Sequence, residues 1–294
     1  MLLIRLSGGL GNQLFQIFTV ISYSIDNNDS YRIFKDKGDI VSPCDNKSSR
    51  HTYWDSIFKN IKNNTIKHIK GKVNAIYEKG FEYNELPVIN NKELTNNFYM
   101  LCGYFQSYKY FYHNLNKIEN ILNLKDIKEQ LINDMKKYNE YDFENTTSLH
   151  FRIGDLKVGE QKCHGPILSI EYYINAIERL IKDTNKSDWN ILYFYEKVDE
   201  DYIKSNILLL REKFQNIKFL SINHDLTDWE QILTMSLCKN NIIANSTFSL
   251  WGAYLNKTVN NVYYPNTWFS KHLQHQRTEH LFLQNNKWVN ISNN

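Results

Sequence analysis

The sequence has few cysteines and no pattern that pairs them. Its four cysteines, Cys44, Cys102, Cys163 and Cys238, lie far apart in the chain and form no Cys-x-x-Cys pair. This spacing favours reduced, mostly structural thiols.

An excess of charge of one sign is also missing. The formal net charge is +3, and no block of like charges stands out. A nucleic-acid binder carries a concentrated basic face, so the composition argues against that class of protein. Hydrophobic residues make up 42% and charged residues 23% of the 294 residues. A packed core is therefore expected, in one large domain or two of ordinary size.

Long apolar segments are missing as well. No stretch approaches the roughly 18 apolar residues of a membrane span. The opening residues, MLLIRLSGGLG, have neither the basic start nor the longer apolar region of a secretory signal. The sequence therefore predicts a soluble cytoplasmic protein without a membrane span.

The second half of the chain contains a regular alternation of strand and helix patterns. In one segment Ile170, Tyr173, Ile174 and Ile177 recur at helical spacing, with Ser169 as the candidate N-cap. Such alternation indicates a parallel sheet with helices on both faces. The predicted strands are 147–153, 190–195, 217–222, 241–245 and 261–265, and the predicted helices are 169–183, 199–214, 228–238 and 247–255.

The first half begins in the same way, with a strand at 2–6, a helix at 12–25 and a strand at 31–35. A polar segment near residue 145 marks a boundary between two domains, 1–145 and 146–294. The expected fold is α/β, with two Rossmann-like domains that face each other across a cleft. In such sheets, ligands bind beyond the carboxyl ends of the strands.

A glycine cluster follows the first predicted strand. Gly8, Gly9 and Gly11 would let the backbone turn sharply, and the following helix would offer N–H groups suited to a phosphate. The cluster is not a dinucleotide motif, because its third glycine would fall on Leu14. It is not a P-loop either, since the Gly-Lys-Ser/Thr ending is missing. A tight turn without a ligand is the alternative interpretation.

Charged residues end the strand that opens the second domain. His150, Arg152 and Asp155 lie there, and Arg152 is predicted to point into the cleft. Arginine can donate two parallel hydrogen bonds to a phosphate, and a fixed cation stabilises the charge that develops on a diphosphate leaving group. Asp155 could hold Arg152 or accept from a ribose hydroxyl. The alternative is a buried structural Arg–Asp pair.

A third segment, ANSTFSLWGAYL, places hydroxyl groups at a helix start. Ser246 or Thr247 can cap this helix, and the same groups can bind a phosphate. All three loops follow strands, so we expect them to meet at the carboxyl ends of two sheets. Their coincidence is a stronger argument than any one of them.

Together, the segments GGLGNQLFQ, HFRIGD, HGPILSIEYYINAI and CKNNIIANSTFSLWGAYLN resemble the α-1,2-fucosyltransferase family of the bacterial and viral type. The resemblance runs from residue 1 to about 270 and is faint over 36–96. It implies a GT-B fold, GDP-fucose as donor, no metal or other cofactor, and inversion at the anomeric carbon. The implied acceptor is a glycan, with a terminal β-galactose as the usual one.

The resemblance also implies roles for particular residues. Arg152 matches the arginine that contacts the donor diphosphate. The glycine loop that approaches donor and acceptor corresponds to Gly9, Gly11 and Asn12, and the helix start near the phosphates corresponds to Asn245, Ser246, Thr247 and Ser249.

Two positions depart from the family pattern. Ile153 replaces a second arginine, which puts donor affinity or donor choice in question. The family's Ser-Asp-Asp is replaced by Tyr195, Glu196 and Lys197.

The general base is the least determined residue. An inverting transfer needs a group that takes the proton of the acceptor hydroxyl. Glu160 lies ten residues after His150, as the proposed base does in the distantly similar α-1,6-fucosyltransferases. His164, His150 and Asp155 are alternatives.

Other functions remain open at this point. The same fold could use another GDP-sugar or a different acceptor. A catalytically dead glycan- or nucleotide-binding protein and, more distantly, a dinucleotide oxidoreductase are the other classes. The sequence does not identify the acceptor, because acceptor pockets are shaped by loops.

Overall fold

The computed structural model describes residues 1–35, 40–41, 49–89, 97–138, 141–157 and 165–293. Two compact units account for the chain. The first consists of Met1–Ile132 with Arg277–Leu283, and the second of Asn133–Gln276 with Gln284–Asn294. The units therefore divide before the boundary expected near residue 145, and a short segment near the C-terminus packs with the first unit.

The first unit contains a five-stranded sheet in the order β5-β2-β1-β7-β6. All of its strand pairs are parallel. The two strands and the helix predicted at the start of the chain are confirmed, with ends that shift by a residue or two. The elements are β1 Leu2–Arg5, α1 Leu10–Asp26, β2 Tyr31–Phe34, a short antiparallel pair β3 Ile40–Val41 and β4 Ser49–Arg50, β5 Thr65–Ile66, β6 Lys72–Tyr77, β7 Asn97–Cys102, α2 Leu115–Leu122 and α3 Leu124–Tyr138.

Helix α1 forms the core of the first unit. Every residue from Leu10 to Ser24 is buried except Asn12. A helix that is buried on all sides lies inside a domain. Burial of an apolar side chain contributes about 1.5–3 kcal/mol, so this helix and the buried strand β1 stabilise the unit.

The second unit contains a six-stranded sheet in the order β10-β9-β8-β11-β12-β13, and again all pairs are parallel. The predicted five strands and four helices are confirmed. The sixth strand, β13, was not predicted, because the segment before it holds only two short 3₁₀ helices and breaks the alternation of strand and α-helix. The elements are β8 Thr146–His150, α4 Ile170–Thr184, β9 Asn190–Phe194, α5 Glu200–Lys213, β10 Lys218–Ser221, α6 Asp228–Met235, β11 Asn240–Ile242, α7 Thr247–Tyr254, β12 Val262–Pro265 and β13 Trp288–Ile291.

A buried asparagine network ties the centre of this sheet to its helices. The amide of Asn241 donates to Ser148 Oγ at 2.7 Å and to Met235 O at 2.8 Å. Its Oδ1 accepts from Asn256 at 2.9 Å, and Asn256 also donates to Cys238 O at 2.6 Å. Both asparagines are buried, so each of these bonds replaces a bond to water.

All helices in the described part of the chain are too short or too polar to cross a membrane.

The asparagine network yields a test of the fold. Replacement of Asn241 by alanine leaves buried polar groups of Ser148, Met235 and Asn256 without this partner, and should lower the free energy of unfolding by about 2–4 kcal/mol. The matched control is Asn240→Ala. Asn240 is equally buried, but the hydrogen bond from its side-chain amide to Thr147 Oγ1 is long at 3.3 Å, and its Oδ1 has no partner among the described residues.

Urea denaturation of both variants measures the difference. An equal loss of stability in the two variants would contradict the importance of the network.

Candidate functional site

The second unit brings two of the predicted motifs to one edge of its sheet. Strand β8 pairs with β11 on one side and with β9 on the other. The carboxyl ends of these three parallel strands therefore lie side by side. Arg152 follows β8, Asn245 follows β11, and Glu196 follows β9. The arginine and the Asn-Ser-Thr segment therefore follow neighbouring strands of one sheet.

Two tyrosines of α4 fix this edge. The buried Tyr173 donates a hydrogen bond to His150 O at 3.2 Å and accepts one from the backbone N–H of Arg152. Tyr172, also fully buried, donates to the carbonyls of Ile243 and Tyr263. Burial raises the pKa of both phenols well above its ordinary value, so both remain neutral donors.

Arg152 makes an ion pair with Glu196, one of the residues that depart from the family pattern. Its Nη1 atom lies 2.6 Å from Glu196 Oε1. The side chain of Arg152 is 25% exposed and that of Glu196 is 54% exposed. A guanidinium at the surface of a sheet edge can contact a bound anion, and here a carboxylate already contacts it. The sequence feature that corresponds to this ion pair is the Tyr-Glu-Lys segment after ILYF.

The turn after Arg152 is shaped to accept this carboxylate. Gly154 has a φ of +32°, and a Cβ there would lie 2.8 Å from Glu196 Oε1. Its backbone N–H donates to Asp199 Oδ2 at 2.8 Å, and the N–H of Asp199 donates to Glu196 O at 2.8 Å. A side chain at Gly154 would displace the carboxylate from Arg152.

His150, two residues before Arg152, is the last residue of β8 and is buried. Burial, with a smaller contribution from the charge of Arg152, lowers the pKa of His150 to about 3. Its ring packs beside Phe248, with centroids 5.5 Å apart, and Nδ1 has no hydrogen-bond partner among the described residues. A group with so low a pKa is a poor proton acceptor at neutral pH, which argues against His150 as the general base.

The Asn-Ser-Thr segment is held by bonds within the unit. Ser246 is the N-cap of α7 and accepts from Phe248 N at 3.3 Å. Ser249 is buried and accepts from Ala244 N at 3.2 Å. The side chain of Asn245 donates to Pro166 O at 2.9 Å. These hydrogen bonds hold the three side chains at the start of α7, and the ligand roles predicted for them remain predictions.

Thr247, the first residue of α7, is partly exposed. Gly165 packs against this segment so closely that a Cβ would lie 2.1 Å from Asn245 Nδ2 and 2.1 Å from Trp268 O. The glycine of the HGPIL segment is thus required by packing.

The side chain of Ile153, the other departure from the family pattern, does not face the solvent at the carboxyl ends of the strands. It is 2% exposed and belongs to the main hydrophobic core of the unit, with Leu149, Phe151 and Tyr173. Alternate residues of an extended segment point to opposite sides, so Ile153 lies on the same side as Leu149 and Phe151. An arginine at position 153 would therefore enter the core.

The glycine loop lies at the carboxyl end of β1 in the first unit. Gly8 has a φ of +74°, and a Cβ there would lie 2.5 Å from Asn12 Nδ2. Gly9 is the N-cap of α1, its carbonyl accepts from Asn12 N at 2.6 Å, and a Cβ on it would meet no atom within 4 Å. Gly11 is buried in the first turn. Gly8 is thus required by backbone geometry, whereas Gly9 borders open space.

Two buried glutamines of α1 support this loop. Gln13 donates to Gly8 O at 3.1 Å. Gln16 accepts from Ser7 N at 2.9 Å and donates to Gly103 O at 3.0 Å. The polar residues of the NQLFQ segment therefore hold the loop in place.

A neighbouring loop orients Asn12. Gln106 Nε2 donates to Asn12 Oδ1 at 3.0 Å. The carboxylate of Glu78 accepts backbone hydrogen bonds from Tyr104, Phe105 and Gln106, and burial raises its pKa. Glu78 thus fixes the loop that carries Gln106.

Glu160 and His164 lie outside the described residues. Asp155 belongs to a short 3₁₀ turn, Gly154–Lys157, but the position of its side chain is not described. The roles predicted for these residues remain predictions. Within the described ranges, no three His, Cys, Asp or Glu side chains form a group that could hold a metal ion.

Two α/β units, each built on a parallel sheet, are the architecture of GT-B glycosyltransferases, and the predicted fold class is confirmed. The chain belongs to glycosyl transferase family 11, whose model matches residues 1–292. It is 27% identical to the O-antigen biosynthesis glycosyltransferase WbnK of Escherichia coli, over 97% of this chain and 99% of the relative.

Two further proteins are similar. An alpha-1,2-colitosyltransferase of Escherichia coli is 28% identical over 91% of this chain and 92% of the relative. The solved structure of FUT1 from Arabidopsis thaliana in complex with GDP superposes with a TM-score of 0.52 at 11% identity, and covers 90% of this chain and 69% of that one. At this identity the likeness shows the fold alone.

The buried state of His150 predicts a dependence of stability on pH. The unfolded state takes up a proton near pH 6.5, whereas the native state resists protonation until about pH 3. Stability should therefore fall as the pH falls from about 6.5 toward 3, by up to about 1.4 kcal/mol per pH unit for this group. Chemical denaturation of wild type and His150→Asn across this range measures it.

The variant should lose less stability on acidification than the wild type. His275→Asn, at an exposed histidine, is the control and should follow the wild type. Parallel pH profiles for wild type and His150→Asn would refute the prediction.

The core position of Ile153 predicts that restoring the family's arginine is harmful. Ile153→Arg places an unpaired charge in the core and should cost about 3–5 kcal/mol of stability. Ile153→Val, which only removes a methyl group, should cost about 0.5–1.5 kcal/mol. Thermal unfolding compares them, and an Ile153→Arg protein as stable as the wild type would show that the position can face the solvent.

Proposed function

We propose that this glycosyltransferase moves L-fucose from GDP-fucose to the 2-hydroxyl of a terminal β-galactose in a glycan, with inversion and without a metal ion. One observation carries most of the argument. Arg152 lies partly exposed at the carboxyl edge of a parallel sheet, beside the start of α7. This is where ligands bind in such sheets, and the two groups suit a diphosphate.

The donor assignment has further support. The α-1,2-fucosyltransferase pattern extends over most of the chain, and the similar FUT1 structure holds GDP. The name of the colitosyltransferase relative specifies the same α-1,2 linkage.

The proposed reaction is a single displacement. The acceptor oxygen forms a bond to the anomeric carbon while the bond from that carbon to the diphosphate oxygen breaks, and its electron pair leaves with GDP. Arg152 stabilises the charge that grows on the leaving group. A general base takes the proton of the acceptor hydroxyl, and Glu160 is our candidate. The family resemblance also assigns a role in binding donor and acceptor to the glycine loop, with Gly9, Gly11 and Asn12.

A second candidate is the same reaction with another GDP-sugar. The alpha-1,2-colitosyltransferase relative supports it, because proteins of this similarity can differ in donor. The unusual Tyr-Glu-Lys segment, which places Glu196 on Arg152, also supports it.

The test is transfer from GDP-fucose to a panel of β-galactosides in EDTA, with the linkage of the product determined by NMR. Arg152→Ala should lower kcat/KM by about 100- to 1,000-fold, because it removes a charge that stabilises the leaving group. Arg179→Ala is the matched control, since Arg179 makes an exposed ion pair with Asp183 within α4. It should leave transfer unchanged.

An α-1,2 product formed in EDTA would support the proposal. GDP binding with no transfer from GDP-fucose would favour the second candidate. Equal activity of Arg152→Ala and wild type would refute the role of Arg152.

A further inference from the structure

The ion pair between Arg152 and Glu196 has a consequence for the donor site. The carboxylate approaches the guanidinium to 2.6 Å, the distance of a strong charge-assisted hydrogen bond. A diphosphate that binds Arg152 needs the same N–H groups or neighbouring ones. The carboxylate and the diphosphate carry charge of the same sign, so both cannot be held at the guanidinium without repulsion.

The carboxylate is held at this place by the turn around it. Gly154 leaves the space that the carboxylate fills, and Asp199 links the turn after Arg152 to the backbone of Glu196. The pair therefore belongs to a defined local structure and does not depend on the reach of two long side chains alone.

We propose that Glu196 competes with the donor diphosphate for Arg152, and so limits the affinity of the site for GDP. The inference rests on the proposed function, in which Arg152 contacts the diphosphate. It adds a residue that tunes donor and product binding. Competition of this kind speeds the release of GDP after transfer, because the carboxylate returns to the guanidinium as the product leaves.

Whether removal of the Glu196 charge strengthens or weakens GDP binding depends on how strongly Arg152 contacts the carboxylate and how strongly it contacts the diphosphate. Glu196 is more than half exposed, so the pair is well hydrated and stabilises the fold little. A diphosphate carries more negative charge than one carboxylate and replaces it at the guanidinium. Removal of the carboxylate charge should therefore strengthen GDP binding, even though it also removes a contact that orients Arg152.

The experiment is calorimetric titration of the full chain with GDP at low ionic strength. Glu196→Gln keeps the size of the side chain and removes its charge, and we expect GDP to bind about 3- to 10-fold more tightly. The gain should shrink as salt is added, because mobile ions screen exposed charges.

The control is Glu178→Gln. Glu178 is 51% exposed and pairs with Lys213 at 2.9 Å, so this variant removes an equally exposed carboxylate from another ion pair of the same unit. Its affinity for GDP should equal that of the wild type. Thermal unfolding of both variants checks that neither has lost its fold.

A double variant tests whether the effect passes through Arg152. In the Arg152→Ala background, Glu196→Gln should change the affinity for GDP by less than twofold, since nothing is left to compete for. Weaker or unchanged binding by Glu196→Gln alone would overturn the proposal, and so would an undiminished gain in the Arg152→Ala background.

The outcome also separates this inference from the proposed function. If wild type binds GDP and Arg152→Ala weakens that binding, the contact between Arg152 and the diphosphate stands, and Glu196→Gln alone decides the competition. If wild type does not bind GDP, both proposals fail.

Discussion

The candidate donor site depends on the alignment of three parallel strands, β9, β8 and β11, whose carboxyl ends share one edge. Parallel pairing brings together the residues that follow these strands, although they lie far apart in the chain. Tyr172 and Tyr173 then fix the backbone of two of these ends from α4. Without these contacts, Arg152 would lie on an unsupported loop, and a group that stabilises a transition state must be held in place before the reaction.

The charge balance at this edge differs from that of a simple anion site. Arg152 is partly exposed and already contacts a carboxylate, while His150, two residues earlier, stays neutral because it is buried. The neutral histidine adds no positive charge, so the edge offers a guanidinium that is partly compensated. If this edge holds the donor diphosphate, as proposed, it would bind that group less tightly than an unopposed arginine would.

In both units, polar residues of the shared motifs support the loops. Gln13 and Gln16 hold the glycine loop, Asn241 joins strands to helices, and Ser249 holds the start of α7. These residues are buried, and their hydrogen bonds satisfy polar groups of neighbouring residues that would otherwise lack a partner inside the protein. Much of the pattern typical of the family therefore encodes the shape of the loops.

The sequence by itself determined the fold class and most of the elements, because the hydrophobic periodicity of a parallel α/β sheet is a local property of the chain. It also predicted Arg152 and the Asn-Ser-Thr segment as candidate ligand groups, since both follow strongly patterned strands. Only the tertiary structure decided that Ile153 faces the core and that Glu196 contacts Arg152. Both depend on which side of a strand end each side chain takes and on which strands are neighbours, and these are set by long-range packing that no local pattern contains.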